Sequence, residues 1–84
     1  MKHYASPSFW QAFEMLPKDI QEIARKNFDL LKHDPRHRSL FLKKVDDYWS
    51  ARVGLNYRAL AVECEQGLLW FWIGTHQDYD KLIR

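Results

Sequence analysis

The sequence predicts an α+β fold, in which two N-terminal helices pack on a curved, mainly antiparallel four-stranded sheet and a short C-terminal helix follows. Apolar residues recur with a helical period of about 3.6 up to residue 33. After Asp34–Pro35 the period changes toward 2, which is typical of strands. With 84 residues, four Trp, four Tyr and five Phe, the chain can bury one core, so residues 1–84 are predicted to form a single domain.

Two helices are predicted in the first 33 residues. Ser6 is an N-cap and Pro7 stands at the first helical position, where the missing N–H has no consequence. This short helix ends at Pro17, which also begins a longer helix that runs to about His33. The apolar positions that would face the core are Phe9, Phe13 and Leu16 in the first helix, then Ile20, Ile23, Ala24, Phe28 and Leu31 in the second.

Four strands are predicted in the second half. Residues 40–45 form an edge strand whose lysines discourage pairing with another sheet. Alternating residues 49–53 and a strand from Tyr57 form a hairpin, with Arg58 at the end of an apolar row. Residues 68–73 are apolar without alternation, which predicts a central strand covered on both faces.

Positive charge is concentrated in the middle of the chain, although the net charge is only +2. Residues 25–58 hold nine basic and four acidic side chains. Such a region attracts polyanions, so a nucleic acid or an acidic protein segment is a candidate partner. A solvated helix face with ordinary surface lysines explains the same charges equally well.

Cysteine usage and hydropathy indicate the compartment. The single cysteine, Cys64, cannot form an internal disulfide and is interpreted as a small core residue. No signal peptide is recognised, and the six-residue apolar run of 68–73 is far shorter than the roughly 20 residues of a membrane-spanning helix. We therefore expect a cytoplasmic protein that does not enter a membrane.

The junction after the central strand carries the residues that could do chemistry. Thr75–Asp78 resembles a capping box, and His76 and Tyr79, three residues apart, project to the same side of the helix that follows. Arg52 and Arg58 come from the neighbouring hairpin. An imidazole, a phenol and guanidinium groups near one phosphodiester suit RNA cleavage. The alternatives are that His76 is a helix cap and Tyr79 a packing aromatic.

Metal and cofactor sites are not predicted. The four histidines are scattered and the one cysteine provides no zinc-binding spacing. Only three glycines are present, so no phosphate-binding glycine loop exists.

The segments YWSARVGLNYRAL (residues 48–60) and WIGTHQDYDKLI (72–83) resemble the RelE/ParE superfamily of type II toxin–antitoxin toxins. The resemblance spans nearly the whole chain and implies the RelE-like fold. By position it implies a ribosome-dependent mRNA endoribonuclease without a metal or cofactor. It further implies catalytic roles for Arg58, His76 and Tyr79, and RNA-binding roles for Arg52, Lys43 and Lys44.

The same resemblance implies partners. A cognate antitoxin, the ribosome and mRNA are expected for a ribonuclease member. Gyrase-inhibiting ParE members share the fold, so DNA gyrase is the alternative target. A non-catalytic nucleic-acid-binding or regulatory module is the third possibility.

Overall fold

A five-stranded sheet forms the centre of the computed structural model, which describes residues 2–83. The strands are β1 (Lys2–Ala5), β2 (Lys43–Val45), β3 (Tyr48–Val53), β4 (Tyr57–Cys64) and β5 (Gly67–Thr75). The helices are α1 (Pro7–Glu14), α2 (Lys18–His33) and α3 (His76–Leu82), with a 3-10 helix at Arg38–Leu40. The strand order is β1-β5-β4-β3-β2, and only the β1–β5 pair is parallel. The α+β class is confirmed.

The prediction of four strands was wrong because β1 has no signal of its own. Its four residues are too few to show a period, and its partner β5 lies at the other end of the chain. The close approach requires glycine at position 67, since a Cβ there would lie 1.9 Å from the backbone oxygen of Lys2. β1 makes β5 a central strand, as the continuous apolar run predicted.

The first two helices begin where the sequence predicts. Ser6 Oγ accepts a hydrogen bond from Phe9 N at 3.3 Å and caps α1. α2 follows Pro17 and ends at His33. The predicted apolar stripe of α2 is buried or half-buried against the core, as expected for an amphipathic helix.

The predicted edge strand at residues 40–45 was wrong in its first half. His37 caps a short 3-10 helix, its Nδ1 accepting from Ser39 N at 3.2 Å. Leu40 at the end of that helix is 1% exposed and belongs to the core. Phe41 then has a left-handed backbone with a φ of 45°, so regular strand geometry starts only at Lys43.

The two faces of the sheet have different neighbours. The covered face packs on α1 and α2, and small residues such as Ala51, Ala59 and Ala61 let the helices come close. Side chains alternate along a strand, so Arg52 and Arg58 project from the opposite, open face. α3 lies over one end of this open face.

The solvent exposure of one side chain differs from the prediction. Cys64 is exposed, so its interpretation as a core residue was wrong, because β4 reaches the sheet margin there. No helix within residues 2–83 is long and apolar enough to cross a membrane.

Candidate functional site

The site is built where the β3–β4 hairpin meets the end of β5. Arg58 on β4 pairs with Arg52 on β3 and with Gly74 on β5. The backbone oxygen of Asn56, in the hairpin loop, accepts a hydrogen bond of 2.7 Å from His76 N. The hairpin therefore fixes the position of the first residue of α3.

The cap of α3 orients its first turn. Thr75 Oγ1 accepts a hydrogen bond from Asp78 N at 3.1 Å, as the capping pattern predicts. His76 and Tyr79 then lie one turn apart on the same side of the helix. Their rings stack with 5.8 Å between centroids and 19° between planes.

Arg58 completes this group from the sheet. Its guanidinium carbon lies 5.6 Å from the centroid of the Tyr79 ring, in a cation–π contact. Tyr79 is only 4% exposed. The structure thus brings together the three side chains predicted as catalytic, with the Tyr79 ring in contact with both of the others.

One nitrogen of Arg58 is buried without a hydrogen-bond partner. Nη1 has no acceptor among residues 2–83, and no carboxylate in that range forms an ion pair with Arg58. A buried charged group without a partner costs more than the roughly 1–3 kcal/mol of a neutral one. Such a cation, half-buried against the Tyr79 ring, is suited to bind an anion that enters the site.

His76 is the exposed member of the group. Its Nε2 lies 3.6 Å from Asp80 Oδ2, one turn further along α3, and both side chains are about half exposed, at 49% and 47%. At that distance the contact is an ion pair only when the imidazole is protonated, and an exposed pair is weak. The imidazole therefore stays accessible to a ligand.

Arg52 lies beside Arg58 but has further contacts. Its Nε donates to the backbone oxygen of Gly54 at 2.9 Å, and its guanidinium carbon lies 5.1 Å from the Phe41 ring centroid. These contacts direct the side chain toward the β2 edge. Arg52 therefore adds positive charge next to the site without touching Tyr79 or His76.

The two lysines of β2 project to opposite faces. Lys43 pairs with Ser50, which lies on the open face with Arg52 and Arg58. Lys44 pairs with Trp49 on the other face, where its Nζ lies 3.2 Å from Glu63 Oε2. Lys43 thus shares the face of the site, and Lys44 does not.

Two features of the open face were not recognised from the sequence. Trp72 lies in the apolar run predicted to be covered on both faces, but it is half-buried, and a Cβ on Gly74 would lie 2.4 Å from its ring. The Trp72 ring thus lies over Gly74, the cross-strand partner of Arg58. Ser50, 0% exposed on the open face, has no partner for its Oγ within residues 2–83. A glycine two residues after a tryptophan in a strand was the available signal for the first contact.

The ParE-like toxin domain is a family whose model matches residues 18–81. That span includes α2, strands β2 to β5 and most of α3, and therefore every site residue named above. The chain belongs to this family. The resemblance to the RelE/ParE superfamily of toxin–antitoxin toxins is confirmed.

Solved structures agree with the family in their fold. YafQ from E. coli strain BL21(DE3) is 14% identical and has a TM-score of 0.73, over 93% of this chain and 96% of that one. The RelB–RelE antitoxin–toxin complex from Methanococcus jannaschii has 15% sequence identity and a TM-score of 0.70, over 96% of this chain and 99% of that one. The YoeB/ParE toxin from Agrobacterium tumefaciens has 18% sequence identity and a TM-score of 0.69, over 90% of this chain and 99% of that one. Comparison with curated protein sequences finds no match.

Proposed function

We propose that this ParE-like toxin is a ribosome-dependent mRNA endoribonuclease that inhibits translation. The observation that supports the proposal is the unpartnered, buried Nη1 of Arg58 beside the stacked rings of Tyr79 and His76. Cleavage of a phosphodiester needs a cation that stabilises negative charge and a group that transfers protons, and a guanidinium and an imidazole provide these two functions.

The proposed reaction uses the RNA's own 2′-hydroxyl. The 2′-oxygen attacks the neighbouring phosphorus and loses its proton to a base. The bond from phosphorus to the 5′-oxygen breaks, and that oxygen takes a proton from an acid. The products are a 2′,3′-cyclic phosphate and a 5′-hydroxyl end. The pentavalent intermediate carries extra negative charge, so a fixed cation lowers the barrier.

Five of the six predicted residues have a role that fits their location. Arg58 binds the scissile phosphate through its half-buried guanidinium. His76, which is exposed, exchanges a proton with one of the two reacting oxygens. Tyr79, which is buried, positions the other two side chains by contact with both. Arg52 and Lys43 bind neighbouring phosphates on the open face, and Lys44 is left out because it lies on the opposite face.

We also propose a cognate antitoxin as the partner that blocks this site. The M. jannaschii relative was solved as an antitoxin–toxin complex. An acidic or amphipathic antitoxin segment would neutralise the arginines of the open face. The check is co-purification of the tagged chain with the product of the neighbouring gene, and its loss when the acidic residues of that segment are removed.

The proposed function is tested by inducible expression, with growth and primer-extension mapping of transcripts as readouts. We expect Arg58→Ala and His76→Ala each to abolish growth arrest and to remove the wild-type cleavage sites, while circular dichroism shows folded protein. His33→Ala, an exposed histidine on α2, and Lys26→Ala are the matched controls and should arrest growth like wild type. Unaltered arrest by both site variants would rule out the assignment.

The same cultures discriminate the gyrase alternative. A gyrase inhibitor produces DNA breaks and leaves transcripts uncut in coding regions. Transcript cleavage without DNA breaks supports the ribonuclease, and the reverse pattern overturns it. Binding of RNA without cleavage in cells would indicate the non-catalytic module.

A further inference from the structure

A second region with unused donors lies beside the edge of the sheet. An open recess of about 620 Å³ is lined by Arg36, His37, Arg38, Phe41, Leu42 and Trp49, together with Pro35. We call it the loop recess. It lies between the loop after α2 and strands β2 and β3, and it shares no lining residue with the site around Arg58.

The polar side chains of the loop recess are donors. Arg36 and Arg38 are exposed, and neither forms an ion pair within residues 2–83. His37 Nδ1 accepts from Ser39 N at 3.2 Å, so in the neutral imidazole Nε2 carries the proton. Trp49 Nε1 is buried and has no acceptor in the part of the chain that the structure describes. No carboxylate among residues 2–83 lines the recess.

Phe41 gives the recess an aromatic wall. Its side chain is 54% exposed although it is large and apolar. Its backbone is left-handed, with a φ of 45°, a conformation that is strained in a residue with a Cβ. An exposed aromatic ring on a strained backbone does not stabilise the fold, and such residues are typical of ligand-binding sites.

Contacts connect the recess with the site. Arg58 is the cross-strand partner of Arg52, and the Arg52 guanidinium lies 5.1 Å from the Phe41 ring centroid. Phe41 therefore has the recess on one side and the cations of the open face on the other. A strand of RNA held by Arg58 would meet Phe41 within a few nucleotides.

We infer that the loop recess binds one nucleotide of single-stranded RNA next to the cleavage site. The base stacks on Phe41, and Arg36 and Arg38 bind the flanking phosphates. The inference rests on the proposed function, since it takes RNA as the substrate. A nucleotide is favoured over an acidic protein segment because it presents both a flat ring and only acceptors at its phosphates.

The test is the binding of a short, fluorescein-labelled single-stranded RNA to the purified chain, measured by anisotropy at low and rising salt. We expect Phe41→Ala to weaken binding by about fivefold or more, since stacking on an aromatic ring contributes roughly 1–3 kcal/mol per base. The double variant Arg36→Ala/Arg38→Ala should reduce the slope of log affinity against log salt by roughly 1.4, the value for two phosphate contacts to a single strand.

Matched controls separate these effects from general ones. Met15→Ala removes an exposed apolar side chain elsewhere, and Lys18→Ala/Lys26→Ala removes two exposed charges from α2. Met15→Ala should bind RNA with wild-type affinity. Lys18→Ala/Lys26→Ala should change the slope of log affinity against log salt by less than the Arg36→Ala/Arg38→Ala variant does. Thermal melting verifies that all variants fold.

The possible results distinguish this inference from the proposed function. If both recess variants bind RNA like wild type while Arg58→Ala still abolishes arrest, the recess assignment is overturned and the ribonuclease stands. If the wild-type chain binds no RNA but transcripts are cut in cells, the recess assignment also falls. Absence of both binding and cleavage overturns both proposals. Unchanged RNA affinity with lost antitoxin co-purification would identify a protein-docking surface instead.

Discussion

The covered and open faces of the sheet are made by the same strands, but they differ in how their polar groups are satisfied. On the covered face, residues such as Ala61 and Leu68 are 0% exposed and apolar. On the open face, Ser50 Oγ and Arg58 Nη1 are buried without a partner among residues 2–83. Unsatisfied polar atoms destabilise a fold. The covered face is thus apolar throughout its buried part, whereas the open face also holds buried polar atoms that lower its stability.

Trp49 is an exception to this difference between the two faces. It projects to the side of the covered face, yet its Nε1 is buried without a partner in the described range. This is where the helices end and the loop recess begins. The contrast therefore follows coverage by α1 and α2 rather than the face of the sheet as such.

The largest effect is expected on the covered face. Leu68→Ala should lower the free energy of unfolding by about 2–5 kcal/mol, because it removes a fully buried side chain from a packed core. Urea denaturation measures this change. A loss below about 1 kcal/mol would show that the core can collapse around the cavity. It would contradict the view that packing on the covered face stabilises the fold.

A smaller loss is expected at Gly74 on the open face. Gly74→Ala places a Cβ 2.4 Å from the Trp72 ring, so the ring must move, at about 1–3 kcal/mol for such overpacking. Growth arrest should also weaken, because Gly74 pairs with Arg58. Gly54→Ala, at a φ of 64° with no atom closer than 3.9 Å, is a control for backbone strain alone. Full arrest and unchanged stability in Gly74→Ala would show that the Trp72 contact does not support the site.

His3 makes the stability of the covered core depend on pH. Its Nδ1 accepts from Trp70 Nε1 at 3.1 Å, and burial, followed by nearby positive charge, lowers the pKa of His3 below its ordinary 6.5. The unfolded chain therefore binds the proton first as pH falls. Stability from this residue is present above pH 6.5 and is lost as pH falls toward the lowered folded pKa.

The measurement is the melting temperature as a function of pH for wild type and His3→Gln. The glutamine amide oxygen can still accept from Trp70 Nε1, but it does not titrate. The wild-type curve should fall more steeply below pH 6.5 than the variant curve. Parallel curves would contradict the prediction.

The smallest effect is expected for Ser50→Ala. The substitution removes a buried hydroxyl that has no partner within residues 2–83, so stability should stay within about 1 kcal/mol of wild type or rise slightly. Ala51→Ser, which places a hydroxyl on the covered face instead, should be clearly less stable. A marked loss in Ser50→Ala would mean that the hydroxyl is satisfied after all, and the contrast between the faces would disappear.

Most of the fold was predictable because local signals and tertiary packing agree. The caps at Ser6 and Thr75, the stripe of α2 and the hairpin around Gly54 are all found as predicted. Three interpretations failed where a distant contact decides the structure: β1 depends on β5, residues 38–41 depend on burial of Leu40, and Cys64 depends on where the sheet ends.

The site was predictable in part. The proximity of Arg58, His76 and Tyr79 follows from the hairpin and from helical spacing, which are short-range features. The burial of Tyr79, the separation of Lys43 from Lys44 and the role of Gly74 beneath Trp72 depend on register and packing. Their catalytic and RNA-binding roles remain predictions.

The amino-acid order alone determined most of the element types, the resemblance to the family and the set of side chains at the strand-to-helix junction, because periodicity, capping and turn chemistry act over a few residues. Only the tertiary structure decided which of those side chains are buried, which face each one takes, and that the nitrogen of Arg58 has no partner in residues 2–83. Burial and hydrogen-bond pairing depend on residues that are distant in the sequence but close in space, and a local sequence pattern does not specify those residues.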